Sequence, residues 1–128
     1  MIKANELRIG NWIASSANPS DKETWVIGKV VSICSLQAAF EQVEVEAEEE
    51  FTWFFKDRYF GIPLTEEWLI RFNFGRLGKY SFRDKNLIIH HRKRGFVVNK
   101  KIAIIQYVHQ LQNLYFALTQ TELTKTNQ

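Results

Sequence analysis

The chain has 128 residues, of which 45% are hydrophobic, 14% aromatic and 24% charged, with a formal net charge of +3 at pH 7. This length suits one ordinary domain or two small lobes, and the composition excludes a disordered chain. The apolar runs are only a few residues long, which excludes a membrane-spanning helix, and the charged first eight residues predict that no signal peptide is present. Because Cys34 is the single cysteine, it cannot form an internal disulfide, and we expect a cytoplasmic protein.

The first part of a β-rich lobe is predicted from two runs of strand-forming residues. Leu7–Ile13 alternates apolar and polar residues and predicts a strand with a bend at Gly10. Residues 14–23 are rich in Ser, Asn, Pro and Asp and predict a loop. Trp25–Ile33 is apolar and β-branched, and it predicts a second strand.

Two further strands complete this lobe, which we place at residues 5–60. Gln42–Glu48 alternates strictly, so its apolar residues are expected on one face and its glutamates on the other. Phe51–Phe55 is densely aromatic and predicts a strand buried on both faces. Four short strands with glycines at the bends predict a small SH3-like β-barrel or a curled antiparallel sheet.

A short helix is predicted to follow at residues 65–72 and to open a second lobe at residues 61–119. Thr65 is suited to cap its first turn, and Glu66 and Glu67 lie where the helix dipole favours negative charge. Trp68, Leu69 and Phe72 form its apolar face. Gly75 is placed to end it in a left-handed conformation.

The rest of this lobe is predicted to be antiparallel strands followed by a helix. A period of two returns over residues 80–82, 87–91 and 96–98, with turns between them. Tyr107–Leu118 then has helical spacing, with Tyr107, Leu111, Leu114 and Leu118 on one face. The polar residues 120–128 are expected to fray. The fold class expected for residues 1–128 is therefore a single compact α+β domain with two lobes.

Three segments resemble parts of a family of short uncharacterised proteins encoded by gut bacteria and by their phages and integrated elements. They are Glu6–Ile13 (ELRIGNWI), Ile62–Leu69 (IPLTEEWL) and Tyr107–Thr119 (YVHQLQNLYFALT). The resemblance implies a phage or mobile-element setting and no assigned activity. This chain departs from the family pattern at Gln120, where the family has a glycine, so a glycine-type helix stop is not expected there.

No catalytic or metal-binding signature is present in the sequence, and we predict a protein that is not an enzyme and needs no cofactor. His90 and His91 are adjacent, so on a strand they face opposite ways and cannot grip one metal ion. His109 has no partner at the spacing that zinc requires. The segment Gly75–Tyr80 is too short between its glycines for a phosphate-binding loop.

The charge is divided unevenly along the chain, which is evidence about partners rather than about fold. Residues 1–64 carry six Lys or Arg and ten Asp or Glu, whereas residues 65–128 carry eleven and four. Six glutamates lie within residues 41–50, and ten bases lie within residues 71–101. The two regions either act on separate partners or neutralise each other, and the sequence leaves both alternatives open.

The leading hypothesis is a binding protein that contacts nucleic acid through a basic hairpin edge. Two predicted turns, which we expect side by side, carry the candidate residues His91, Arg92, Lys93, Arg94, Lys100 and Lys101. Tyr80 and Phe96 lie near them and are candidates for stacking on bases or for the core. The alternatives are a solvated turn without a partner, a protein–protein adaptor or inhibitor that uses the acidic strand or exposed aromatic residues, and a small hydrolytic enzyme.

Overall fold

A computed structural model describes residues 6–34, 42–47, 50–55, 58–85, 87–98 and 103–125. The chain divides into two compact units, Met1–Ile62 and Pro63–Gln128. Within the described residues, the first unit holds one antiparallel sheet, and the second holds another antiparallel sheet and two α-helices. The α+β class and the C-terminal helix predicted from the sequence are thus confirmed. No helix in the described ranges is long and apolar enough to cross a membrane.

The sheet of the first unit has five strands in the part of the chain that is described, in the order β4-β3-β2-β1-β5. They are β1 (Trp12–Ser15), β2 (Val26–Cys34), β3 (Gln42–Ala47), β4 (Glu50–Phe55) and β5 (Tyr59–Gly61). The described pairings run in a line with β4 and β5 at the ends, so the sheet is not closed into a barrel.

Two predictions for this unit are corrected by the structure. The first strand begins at Trp12, because Gly10 turns the chain with φ 99° and the side chain of Asn11 accepts a hydrogen bond from the N–H of Arg8 at 2.7 Å. The bend at Gly10 is confirmed, but the strand before it is not formed. The burial of β4 on both faces is wrong, because Phe54 is buried whereas Phe51 is 65% and Trp53 39% exposed. A strand at a sheet edge with one covered face buries alternate side chains only.

The alternation predicted for β3 is confirmed where its side chains are described. Val45 and Ala47 are buried, whereas Glu46 is exposed. Val45 also packs so closely on Gly28 of β2 that a Cβ atom at Gly28 would lie 2.9 Å from Val45 Cβ. The core of this unit is formed by buried side chains from all five strands and the preceding turn, namely Leu7, Ile13, Val30, Val45, Ala47, Phe54 and Tyr59.

The sheet of the second unit also has five described strands, in the order β10-β9-β8-β7-β6. They are β6 (Gly75–Arg76), β7 (Ser81–Asp84), β8 (Leu87–Arg92), β9 (Gly95–Val98) and β10 (Ala103–Ile105), flanked by α1 (Glu66–Arg71) and α2 (Val108–Thr119). Each strand is antiparallel to its neighbour. The three central strands match the predicted ones.

Helix α1 begins as predicted and ends at a different residue. The Thr65 side chain accepts a hydrogen bond from the N–H of Trp68 at 3.4 Å, which caps the first turn. Trp68, Leu69 and Phe72 are buried, which confirms the predicted apolar face. The left-handed residue that stops the helix is Asn73, with φ 68°, and the glycine predicted for this role lies in β6 instead. Asn occupies this conformation at less cost than most residues do.

Helix α2 presents a face shifted from the predicted one. Its buried residues are Val108, His109, Leu111, Gln112 and Tyr115. Of the four residues predicted for this face, Leu111 is buried and Leu114 is half-buried, whereas Tyr107 and Leu118 are exposed. Leu111 and Gln112 follow Val108 by three and four residues, which is the spacing of one helix face.

The tertiary contacts of the second unit include two that fix α2 and the segment after it. The hydroxyl of Tyr115 is hydrogen-bonded to the carboxylate of Asp84 in β7, and this bond, together with burial, raises the pKa of Tyr115 to about 12. After the helix, Leu123 is buried, and the Lys125 amine lies 5.3 Å from the centre of the Trp68 ring. Burial lowers the pKa of Lys125, and the charge of Arg71 lowers it further.

Candidate functional site

Three consecutive cationic side chains project from the connection between β8 and β9. Arg92 ends β8, Lys93 and Arg94 form the turn, and Gly95 begins β9. All three side chains are exposed. Within the described ranges, none of the three takes part in an ion pair with a carboxylate. The Arg92 guanidinium donates a hydrogen bond to the His91 carbonyl at 3.1 Å.

An open groove of about 390 Å³ runs beside this turn, entirely within the second unit. Its lining combines the basic turn with residues from the start of the unit and from the junction of β10 and α2. The lining residues are Pro63, Leu64, His91, Arg92, Lys93, Arg94, Gly95, Phe96, Gln106 and Tyr107. The groove therefore joins cationic, aromatic and apolar side chains on one surface.

Backbone hydrogen bonds hold together the two chain segments that line the groove together with the basic turn. Pro63 and Tyr107 form an isolated antiparallel bridge, and the N–H of Leu64 donates to the carbonyl of Gln106 at 2.9 Å. The side-chain oxygen of Gln110 in α2 accepts from the N–H groups of Gln106 and Tyr107, at 2.9 and 3.1 Å. These bonds satisfy donors at the start of α2 and fix the backbone that carries Tyr107.

The turn itself depends on a glycine. Gly95 has φ 138°, a conformation that other residues rarely adopt. A Cβ atom at this position would lie 2.9 Å from the Ile105 carbonyl oxygen of β10. β9 can therefore approach the end of β10 this closely only because residue 95 has no side chain. This close approach sets the position of the basic turn against Gln106.

His91 is held in place by a ring contact and by a carboxylate. Its imidazole stacks on the buried ring of Phe96, with the centroids 4.3 Å apart and the planes at 9°. Its Nδ1 lies 2.8 Å from Oε2 of Glu66, the first residue of α1. The Arg76 guanidinium donates to the other oxygen of Glu66 at 3.1 Å. The hydrogen bond from His91 lowers the pKa of Glu66, and Arg76 lowers it further against an opposing effect of burial.

The structure brings together four of the six candidate residues. His91, Arg92, Lys93 and Arg94 all line the groove. Lys100 and Lys101 lie outside the described residues. The second predicted turn therefore also lies outside them, and the expectation that the two turns lie side by side stays a prediction.

The other residues singled out in the sequence occupy separate places. The hydroxyl of Ser81 lies 2.8 Å from Nδ1 of His90, so the adjacent histidines contact different partners. His109 is buried in α2, and its ring lies parallel to that of Tyr107, with the centroids 5.9 Å apart. Phe96 belongs to the core, whereas Tyr80 is exposed outside the groove. In the described part of the chain, no three metal-binding side chains gather in one place.

Two contacts of this site were not predicted from the sequence. Glu66 was assigned only to the helix dipole, although it also holds His91 from 25 residues away. Pro63 and Tyr107 meet through a bridge between distant segments. No local pattern signals such contacts, because each residue also fits its own element without them.

Comparisons of the chain with protein-family models, with curated proteins and with solved structures gave no match. The geometry of the second unit is therefore the basis for a functional conclusion.

Proposed function

We propose that the protein is a non-enzymatic binding module that contacts the phosphate backbone of nucleic acid through Arg92, Lys93 and Arg94. The observation that supports this proposal best is the gathering of three exposed consecutive cations on one turn, with no carboxylate paired to any of them in the described ranges. A partner of high negative charge density fits such a surface, and the phosphates of nucleic acid supply that charge.

The second unit as a whole favours the same partner. Residues 65–128 carry eleven Lys or Arg against four Asp or Glu. Two of these carboxylates, Glu66 and Glu67, are engaged by Arg76 and Arg71. The resulting positive field attracts a polyanion to this unit and favours fast association at low salt.

The test measures binding of labelled DNA over a range of salt concentrations. Each cation that contacts a phosphate of duplex DNA contributes about −0.9 to the slope of log affinity against log salt, so three contacts predict a slope of about −3. The variant R92Q/R94Q is expected to make the slope shallower by about 2.

The matched control is R83Q/K85Q, which removes two exposed cations from β7 and from the turn after it, at the opposite end of β8 from the basic turn. We expect its slope to equal that of the parent protein. If neither single-stranded nor duplex DNA is retained at low salt, or if both double variants change the slope equally, the proposal is wrong.

A second candidate function, a protein–protein adaptor or inhibitor, is favoured by the outer face of β3 and β4. Phe51 and Trp53 are exposed there, and each lies opposite a glutamate in the register, Glu46 and Glu44 respectively. Aromatic faces beside carboxylates suit a cationic segment of another protein, because cations are attracted both to the rings and to the charges.

This second function is tested with an extended peptide in which Arg alternates with apolar residues. F51S/W53S is expected to abolish its binding, whereas R92Q/R94Q leaves it unchanged. Equal binding by the parent protein and F51S/W53S would exclude this face as the site.

Three further proposals concern the setting of the protein. The resemblance in three sequence segments supports membership of the family from gut bacteria, their phages and integrated elements. The single cysteine supports a cytoplasmic location. A relation of the first unit to SH3-like barrels is supported by the pairing of β5 with β1 and by the meander from β1 to β4.

A further inference from the structure

We infer that the groove beside the basic turn selects single-stranded over duplex nucleic acid, by stacking bases on Tyr107 and His91 while the cations hold the adjoining phosphates. This inference rests on the proposed function, because it assigns a class of nucleic acid to the same site.

Tyr107 supplies an aromatic surface on a fixed support. The residue is 37% exposed and lines the groove. Its ring lies nearly parallel to that of the buried His109, at an interplanar angle of 18°. Its backbone is held by the bridge to Pro63 and by the Gln110 side chain. A ring that is already ordered loses little conformational freedom when a base stacks on it.

His91 supplies a second flat surface among the residues that line the groove. Phe96 lies against its ring, Glu66 binds its Nδ1, and 41% of the side chain remains exposed. An imidazole held by a stacked ring and by a carboxylate has a fixed orientation. Histidine and tyrosine are among the side chains on which unpaired bases stack in complexes with RNA and single-stranded DNA.

The size of the groove suits one or two unpaired nucleotides. Its volume of about 390 Å³ lies within the range of sites that hold small organic molecules. The bases of a duplex are stacked on one another and paired, so their faces are not available to a protein ring unless the duplex opens. The bases of a single strand are free to turn into the groove.

The charges at the groove permit a phosphate beside the rings. Arg92, Lys93 and Arg94 form the edge of the groove and are exposed. Among the described residues, Glu66 is the carboxylate that contacts a groove residue, and its two oxygens are engaged by Arg76 and His91. Its charge is therefore offset before a phosphate approaches.

The experiment compares binding of oligothymidine, oligouridine and a duplex of equal length by fluorescence anisotropy at low salt. We expect the parent protein to bind a single strand at least about tenfold more tightly than the duplex, which is the effect of stacking about one base. The arms with thymidine and uridine show whether DNA or RNA is preferred, and either preference agrees with the inference.

Two variants remove the rings without removing charge from the basic turn. Y107L is expected to weaken single-strand binding by about tenfold and to change duplex binding by less than about twofold. H91Q removes the second ring and retains an amide that can bond to Glu66. The control Y80L removes an exposed tyrosine outside the groove and is expected to bind as the parent does.

A spectroscopic measurement separates stacking from a structural effect of these variants. A 2-aminopurine base in the oligonucleotide loses fluorescence when it stacks on a ring, and we expect this quenching to be reduced in Y107L and in H91Q. Circular dichroism on each variant checks that the fold is retained.

The inference is overturned if the parent protein binds duplex and single strand equally, or if no quenching occurs. In that case binding with the expected salt slope still supports the proposed function. If no nucleic acid is bound at low salt, the proposed function fails and this inference fails with it.

Discussion

At the scale of single residues, Gln120 adopts a conformation that glycine would adopt at less cost. Its φ of 60° and ψ of 22° are left-handed, and its N–H bonds to the Phe116 carbonyl at 2.8 Å, which ends α2. The departure from the family pattern therefore does not remove the helix stop, and Gln120 itself serves as the stop in the conformation that a glycine favours.

The variant Q120G is expected to raise the free energy of unfolding by about 0.5–1 kcal/mol, because relief of left-handed strain outweighs the added freedom of glycine in the unfolded chain. Urea denaturation of the two proteins measures the change. N73G provides the comparison. Asn73 has a φ of 68°, but asparagine tolerates this conformation better than glutamine does, so we expect a smaller gain in the free energy of unfolding. A gain in N73G equal to or larger than that in Q120G would contradict the argument.

Tyr115 makes the stability of the protein depend on pH in the alkaline range. Burial and the hydrogen bond to Asp84 raise its pKa from 10.0 to about 12, so the folded state holds the phenol proton more tightly than the unfolded chain does. This contribution is complete below pH 10 and is lost as pH rises toward 12. In Y115F the midpoint of urea denaturation is expected to be lower at pH 8 and to fall less steeply above pH 10. Y80F, at an exposed tyrosine, should follow the parent protein at every pH.

Residue-level patterns in the sequence predicted the features that depend on neighbours along the chain. The Thr65 cap was predictable because its partner, the N–H of Trp68, is three residues away. The helix stop at Asn73 was not predictable, because glycine has the stronger intrinsic preference for a left-handed conformation and Gly75 lies only two residues further on. Only the path of the chain into β6 decides between the two residues.

At the scale of elements, the β8–β9 connection depends on Gly95, since a side chain there would meet the carbonyl oxygen of Ile105. G95A is expected to lower the free energy of unfolding by more than about 1 kcal/mol, through left-handed strain and this clash. It should also weaken DNA binding, because it displaces the turn that carries Arg92–Arg94. Thermal denaturation and the anisotropy assay measure the two effects.

The control for this prediction is G78A, because a Cβ atom at Gly78 would have nothing within 4 Å. We expect it to leave both stability and binding close to those of the parent protein. A G95A protein as stable as G78A would show that the conformation of this turn is not required.

The burial of an element was predicted correctly where the sequence pattern itself shows one buried face. It was predicted wrongly where it depends on the position of the element in a sheet. The alternation of β3 is visible in the sequence because the sheet has one core face. The exposed rings of β4 were not predictable, because composition does not reveal that a strand lies at the edge of a sheet. The groove was equally hidden, since it requires Pro63 and Tyr107 to meet across a long interval of sequence.

At the scale of the whole molecule, the net charge of +3 conceals two units of opposite formal charge. The slope of affinity against salt reports the number of cation–phosphate contacts rather than the net charge of the protein. If binding uses a local site, only the loss of cations at that site changes the slope. If binding is a general attraction between the protein and a polyanion, any change in net charge changes it.

The variant E44Q/E46Q raises the net charge by two without altering the basic turn. We expect its salt slope for DNA to equal that of the parent protein, measured by the same anisotropy titration. R92Q/R94Q changes the net charge by the same amount in the opposite direction and should change the slope. Equal and opposite changes in the two variants would mean that binding follows total charge and has no defined site.

The surroundings of Trp68 have a practical consequence for following the second unit in solution. The other three tryptophans, Trp12, Trp25 and Trp53, all belong to the first unit. Trp68 is buried in α1, with the Arg71 guanidinium 5.8 Å and the Lys125 amine 5.3 Å from its ring centre. Replacing the other three with phenylalanine leaves one indole, whose emission shifts to longer wavelength when the helix separates from its surroundings. That single optical signal reports the opening of one unit independently of the other.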